Sequence, residues 1–451
     1  LGILPTGRAL RSDQEIDMRS PLPLCSLVAA LGLAACAQGS PEPFAGFGER
    51  PALPSPKVSL IPTLNARQAV GWPASVQPTA PQGFVVTRFA GDLAHPRWLL
   101  VLPNGDVLVS EASSEEKFGG GIEGLIANQQ QKKAGAIQKS PNRIVLLRDA
   151  DGDGVAEMQT TFAEGLQRPF GMTLTGGQLY VANDNGVVSF PYVDGQTAVT
   201  GPGVKVFDLP GGPINHHWTK NVAASPDGSK LYATVGSNSN IGENGMEAEV
   251  GRAAIWEYRL PAGPARIFAS GLRNPNGLDW EPTTGLLWTA VNERDMLGDD
   301  LVPDYMTSVR DGDFFGWPYS YFGQHADSRV KPPRPDLVAK AKAPDYALGS
   351  HTASLGLAFY TADLFPARYW GGVFVGQHGS WNRRPPSGYR VVFVPFAAGK
   401  PSGPPEEFLT GFLNAEDEAQ GRPVGVAVDK AGALLVADDV GKAVWRVAPA
   451  R

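Results

Sequence analysis

Two adjacent histidines stand in Pro213-Ile-Asn-His-His-Trp-Thr-Lys-Asn221, and His217 lies nine residues ahead of the Pro226-Asp227-Gly228 turn. Imidazole titrates near neutrality, and a neighbouring charge or dipole decides which ring nitrogen is free, so one of the pair could act as a general base. A histidine bonded to backbone at the end of a sheet fits the same spacing, and the residues alone leave both readings open. Glu293, Asp295, Asp299 and Asp300 place four carboxylates within eight residues, a density of hard oxygen donors that suits calcium and equally a solvated acidic loop. Asp149-Ala-Asp-Gly-Asp-Gly154 has the Asp-x-Asp-x-Asp-Gly spacing of a calcium loop, with Glu157 nearby but without the distant bidentate glutamate of an EF-hand. Asp149, Asp151 and Asp153 therefore read as structural calcium ligands or as a polar turn. Guanidinium groups, which pair bidentately with carboxylates, occur in Gly271-Leu-Arg-Asn-Pro-Asn-Gly277, Gln377-His-Gly-Ser-Trp-Asn-Arg383 and Gly421-Arg-Pro-Val-Gly425.

These groups need a scaffold, and the composition points to an all-β one. Gly 54 and Pro 40 make up roughly a fifth of the 451 residues, which implies frequent turns. From Gly83 onward a Gly-containing turn, a short β-rich run, a polar break and a second β-rich run recur six times. Examples are Leu102–Ser110 with Arg143–Leu147 and Ala431–Ala437 with Ala443–Val447. Repeats of this kind predict a six-bladed β-propeller, whose radial sheets protect one another's edges. A pair of β-sandwiches would instead show a linker near the middle, and none is visible. Helical segments are few, Glu123–Gln138 being the best candidate. Long insertions at Ser113–Pro141, Met296–Leu355 and Gly379–Gly388 hold most of the unusual polar residues, and in repeat folds such insertions cluster on one face, often the binding face. A net charge of −6 spread without a long acidic or basic run argues against a nucleic-acid groove and for a small or neutral ligand.

The N-terminus reads as a targeting segment. Met18-Arg19 precedes an apolar stretch from Leu22 to Ala35 that ends in Leu33-Ala34-Ala35-Cys36, similar to a bacterial lipoprotein signal and its lipobox. Residues 1–35 are expected to be upstream sequence plus signal, Cys36 the lipidated residue, 36–82 a flexible Pro/Ala/Ser-rich tether and 83–451 the propeller. That makes the protein an exported lipoprotein facing the periplasm, with the outer membrane the favoured anchor site and the lipid its only membrane contact. The cysteines are Cys25 and Cys36, so the mature chain has no disulfide and must rely on burial for stability.

Together with His217, the Gly271–Gly277, Val291–Asp300 and Asp313-Phe-Phe-Gly-Trp-Pro318 segments resemble the soluble pyrroloquinoline-quinone-dependent sugar dehydrogenases. Val291–Tyr321 and Gln377–Arg383 look most like the sorbosone dehydrogenase branch. The resemblance runs from about Gly83 to the C-terminus. It implies a six-bladed propeller with the quinone flat over the central channel, His217 as catalytic base, and Arg273 and Asn274 beside the quinone. Arg422 matches one cofactor-binding arginine, but Val424 stands where a second is expected, and Arg383 is a candidate to supply that charge. Trp381 is the tryptophan assigned to the cofactor. In the family a calcium is bound largely by backbone carbonyls, here at Asp295 and Met296, although the usual Gly-Pro is missing. His351, Gln167 and Arg168 fall where substrate contacts are expected. The implied reaction is hydride transfer from a sugar or hydrated aldehyde to the quinone, with electrons passing on to a membrane quinone or a cytochrome. The rival readings are a calcium-dependent lactonase, needing no cofactor arginines, and a non-enzymatic binding propeller.

Overall fold

The computed structural model describes residues 46–58, 63–114 and 128–450. The signal segment, Cys36 and the start of the tether lie outside these residues. Within them, six four-stranded antiparallel meanders follow one another around a channel. Blade 1 comprises Pro96–Val101, Val107–Glu111, Arg143–Arg148 and Met158–Ala163; blade 2, Met172–Thr175, Gln178–Asn183, Gly186–Pro191 and Val204–Asp208. Blade 3 comprises Val222–Ala224, Lys230–Val235, Ala254–Arg259 and Ala265–Ser270; blade 4, Asn274–Trp280, Leu287–Asn292, Pro303–Val309 and Tyr346–Ser350. Blade 5 comprises Ser354–Phe359, Val373–Gln377, Arg390–Val394 and Glu406–Leu409. The inner three strands of blade 6 are Pro423–Val428, Leu434–Asp438 and Ala443–Pro449, and its outermost strand is Phe84–Ala90 from the other end of the domain. That pairing closes the ring by joining the two ends of the domain in one sheet.

The second strand of each blade is a nearly continuous apolar run because a neighbouring blade covers each of its faces. Leu434 and Val436 pack toward blade 5, in a cluster with Phe374, Phe393, Phe408 and Trp445. Leu435 and Ala437 point the other way, against Leu99, Val107 and Val145 of blade 1. The period-two alternation of a strand thus feeds two interblade cores. Four further clusters fill the remaining gaps between blades. A seventh group, Trp98, Ala112, Phe170, Trp218, Leu355 and Val424, plugs the channel.

Three features differ from the sequence expectations. The region 296–355 is not one insertion, since it contains the third and fourth strands of blade 4; only the excursion at 310–345 leaves the sheet, and it climbs past blade 3 so that Trp317 Nε1 donates to the Asn240 carbonyl (2.9 Å). Of the segment expected to be helical, residues 128–133 are helical. The described part of the expected tether is bound to the propeller. Phe47–Gly48 adds a fifth strand to blade 4, the Asn65 amide donates to Trp381 O (2.8 Å), and Trp72 packs edge-on against Phe412 and Trp445. Apolar and hydrogen-bonding residues scattered among the prolines carry these contacts, which composition averages out.

The inner strands approach one another closely around the channel. A Cβ at Gly425 would stand 2.7 Å from the Arg97 carbonyl oxygen and 3.1 Å from Trp98 Cα. Because backbone cannot move aside as a flexible side chain can, Gly425→Ala is expected to destabilise the fold by about 1–3 kcal/mol, measured by denaturant or thermal unfolding.

Candidate active site

Antiparallel connectivity decides which residues meet. In every blade the start of the innermost strand and the loop joining the second and third strands lie on the same face, so twelve chain segments converge around one channel mouth. They enclose a cavity of ≈ 420 Å³.

His217 lies on the lead-in to blade 3 and faces this cavity. Its Nδ1–H donates to the Ser237 carbonyl (2.7 Å), with Ser237 Oγ also near at 3.1 Å. The backbone bond fixes the tautomer and leaves Nε2 as the unprotonated nitrogen. Burial, and then the Arg273 charge, hold the imidazole pKa well below its ordinary value, so the ring is neutral at physiological pH.

Beside it, Arg273 is buried and spread over several acceptors: Nη1 to Glu293 O (2.7 Å), Nη2 to Asn240 Oδ1 (3.0 Å) and Nη2 to Asp295 Oδ2 (3.4 Å). Asn274 Oδ1 is buried without a hydrogen-bond partner, next to His217, for a Cβ at Gly236 would be 2.3 Å from this oxygen and 2.5 Å from His217 Cβ. Asp295 Oδ1 accepts from Asn382 Nδ2 (2.7 Å) and lies 3.4 Å from His351 Nδ1. Burial pushes the Asp295 pKa up, but His351, Arg273 and Asn382 outweigh it and bring it down to about 2. Conversely, burial of His351 is outweighed by Asp295 and by the Gly298 carbonyl that its Nε2–H meets at 3.0 Å, and its pKa is raised.

Across the mouth, Asp439 forms a second buried centre. Its Oδ2 accepts from Arg97 Nη1 and from His378 Nε2–H (2.8 Å), and His95 Nε2 is 3.5 Å away. Burial is the main reason the two imidazoles are neutral, lowering His95 to about 4 and His378 to about 3. Arg422 lies alongside, with Nε donating to His378 O (2.9 Å) and Nη2 to Gly379 O (2.7 Å).

Of the residues singled out by sequence, His217, Arg273, Asn274, Glu293, Asp295, Met296, His351, Trp381 and Arg422 line the cavity. Others do not. Arg383 is turned to the Asp299 carbonyl and to Asp300 Oδ1 (2.8 Å), lining a separate surface depression. Gln167 is exposed and bonded to Asn185, while Arg168 pairs with Asp184 behind the Trp218 ring. The acidic run does not gather into a carboxylate cage. Glu293 is paired with Arg294, Asp299 accepts from Thr63 Oγ1, and Asp300 is exposed against Arg383. The Asp295 carbonyl is likewise taken, by Asn240 Nδ2 and Arg329 Nη1. Asp149, Asp151, Asp153 and Glu157 do converge, and they are the one such group among the described residues whose ligand atoms all lie within 4.8 Å of one another. Their loop joins the outer two strands of blade 1, on the face opposite the cavity, and the carboxylates already accept from the amides of Ala150, Gly152 and Gly154.

Sequence reasoning missed His95, Arg97, Asn240, Asn382 and Asp439. The signal for the first two was repetition: His95-Pro-Arg-Trp98 has the same place in its repeat as Arg168-Pro-Phe-Gly171 and Arg422-Pro-Val-Gly425. Asp439 and the asparagines had no local signal.

Among curated proteins, the chain is 27% identical over 297 residues to an uncharacterized protein of Borreliella burgdorferi, covering 64% of this chain and 77% of that protein. It is 28% identical over 232 residues to the pyrroloquinoline quinone-dependent pyranose dehydrogenase of Coprinopsis cinerea, covering 40% of this chain but 30% of that longer protein. The calcium structure of the Trichoderma reesei carbohydrate-active enzyme of family AA12 superposes with a TM-score of 0.66 at 19% identity, over 83% of this chain and 97% of that one. A protein-family model described as Glucose / Sorbosone dehydrogenase matches residues 259–379. A second, described as TrAA12-like, matches residues 78–304 and 336–450, and the chain, a six-bladed propeller over that same span, belongs to the TrAA12-like family.

Proposed function

We propose that this protein is an oxidoreductase that oxidises a sugar or a sugar-derived aldehyde, of aldose or sorbosone type, with pyrroloquinoline quinone as its electron acceptor. The observation that carries the reading is His217 Nε2, left free by the Nδ1–H bond to the Ser237 carbonyl and kept neutral by burial and the Arg273 charge, on the wall of a cavity that also presents Arg273, Asn274, Arg97 and Arg422. The cavity suits a flat, anionic, oxygen-rich cofactor. Its wall has buried guanidinium groups with donors to spare, Asn274 Oδ1 and Arg97 Nε among its unpartnered atoms, and aromatic surface at Trp381 and Trp218. The pyranose dehydrogenase relative bears that cofactor in its name.

When bound, the quinone supplies a two-electron acceptor for hydride; the remaining steps belong to the protein. His217 Nε2 accepts the proton of the substrate hydroxyl as hydride leaves the carbon that bears it. Its Nδ1–H bond to Ser237 O holds the ring in position and steadies the positive charge it gains. Arg273, fixed by Asn240, Glu293 and Asp295, places a cationic donor beside that point, where it stabilises developing negative charge without having to reorganise. The channel plug beneath keeps bulk water from entering from below. A calcium ion would meet the cavity wall at Asp295 and Met296 and would supply a Lewis acid beside the quinone, while the side chains of Glu293, Asp299 and Asp300 are turned to Arg294, Thr63 and Arg383.

The sequence Leu33–Cys36 supports export and acylation at Cys36, hence a periplasmic protein on the outer membrane, handing electrons to a membrane quinone or a cytochrome.

Dye-linked dehydrogenase assays of the purified protein against a panel of aldoses and sorbosone should show turnover only after pyrroloquinoline quinone is added. Turnover of lactones with no quinone present would move the protein to the hydrolases. His217→Ala should retain quinone binding, followed by its absorption spectrum, while kcat falls about 10²–10⁴-fold; an unchanged kcat removes His217 from the mechanism. Because its pKa is depressed, the base stays unprotonated as pH falls through the ordinary histidine range. The rising limb of kcat/KM against pH should therefore lie on the acid side of 6.5, and an inflection at or above that value would contradict the assignment.

A further inference from the structure

The lead-in to each innermost strand repeats a short pattern, and its register locates a charge that the resemblance leaves missing. Counting from the proline in His95-Pro-Arg-Trp98, Arg168-Pro-Phe-Gly171 and Arg422-Pro-Val-Gly425, the next residue is Arg97, Phe170 and Val424 respectively. Val424, where a second cofactor arginine is expected, is fully buried in the channel plug beside Trp98, Phe170 and Trp218. Its equivalent on the adjoining inner strand is Arg97, and the two strands are in contact there, the Arg97 carbonyl lying 2.7 Å from where a Gly425 Cβ would be.

We infer that Arg97 is the second anion-binding arginine of the cavity, supplying from blade 1 the guanidinium that blade 6 lacks at position 424, and that with Arg422 it grips a carboxylate of the cofactor. This rests on the quinone reading above. Arg97 is buried, lines the cavity, and packs its guanidinium 5.7 Å from the Phe170 ring and 5.8 Å from the Trp218 ring. Its Nη1 is held by Asp439, Nε is buried without a partner, and among the described residues Nη2 makes no hydrogen bond, so the group is anchored on one nitrogen and keeps a donor to spare. Arg422 is also buried, its side-chain hydrogen bonds go to two carbonyls, and among the described residues no carboxylate oxygen lies within 4.0 Å of its guanidinium. A buried cation without a counter-ion is costly, and an anionic ligand relieves that cost. The imidazoles of His95 and His378, which also line the cavity, are both neutral and add no competing charge. Arg383, the other candidate for this role, is committed to Asp300 outside the cavity.

The test is equilibrium titration of the purified protein with pyrroloquinoline quinone, and separately with benzene-1,3,5-tricarboxylate, followed by tryptophan fluorescence. Arg97→Gln should weaken both by about 30-fold or more, and Arg383→Gln should leave both within about twofold. Arg97→Gln also strands Asp439, so the double variant Arg97→Gln/Asp439→Asn, which removes both charges, is measured alongside with its melting temperature. If Arg97 binds the anion, affinity stays low in the folded double variant. Recovery of wild-type affinity there, or no loss in Arg97→Gln, overturns the inference. Arg97-dependent binding of the tricarboxylate without binding of the quinone would keep the anion site and discard the quinone reading; no binding of either by the wild type would discard both.

Discussion

Several charged groups are held out of water around a channel that apolar side chains close from below, and the rest of the site follows from that burial. Charge in such surroundings persists only where it is paired or richly hydrogen-bonded. Asp439 and Asp295 are the two anchors. Each is a carboxylate kept ionised by cationic or N–H donors arriving from other chain segments around the mouth: Arg97 and His378 for the first, Arg273, His351 and Asn382 for the second. The donors are in turn fixed by the carboxylates, so the cavity wall is set before any ligand arrives.

Neighbouring residues at the end of one strand divide between structure and chemistry. Asp438 turns away from the cavity and accepts from Trp72 Nε1 (2.7 Å), Trp445 Nε1 (3.0 Å) and the Arg422 amide (2.7 Å), and burial raises its pKa to about 6. It ties the segment ahead of the propeller to blade 6 and fixes the backbone that presents Arg422. Asp439, one residue later, faces the channel mouth. Because the strand ends at Asp438 and the chain turns at Asp439, adjacent aspartates serve these separate ends.

His217 depends on the same kind of support from a distance. Ser237, whose carbonyl fixes the ring, belongs to a loop that Glu249 braces through the Asn238 amide (2.7 Å) and Ser239 Oγ. Arg273 meets the same loop at Asn240, which also bonds Asp295 and Trp317. The base, the cation beside it and the loop from the 310–345 excursion thus share one hydrogen-bonded frame, and a change in any of them would be felt at the imidazole.

The sequence by itself determined the ring of six blades, because apolar strands punctuated by glycine turns can hide their faces and edges by radial repetition and a repeat is visible as a repeat. It also determined that His217, Arg273, Asn274 and Arg422 would meet at one mouth, since each sits at the lead-in to an inner strand and all such lead-ins share a face. Tertiary structure decided which other charges join them. Arg383 and Arg168 were as conspicuous in sequence as Arg97, yet an acidic neighbour draws each away, Asp300 for one and Asp184 for the other. Four acidic residues close together in sequence suggested a cation cage, but an extended loop spreads side chains outward to whichever donors surround it. Asp439 and the asparagines at 240 and 382 became visible only when segments 33 to 342 residues apart were brought together, for electrostatic partnership depends on distance in space and leaves no mark on local sequence.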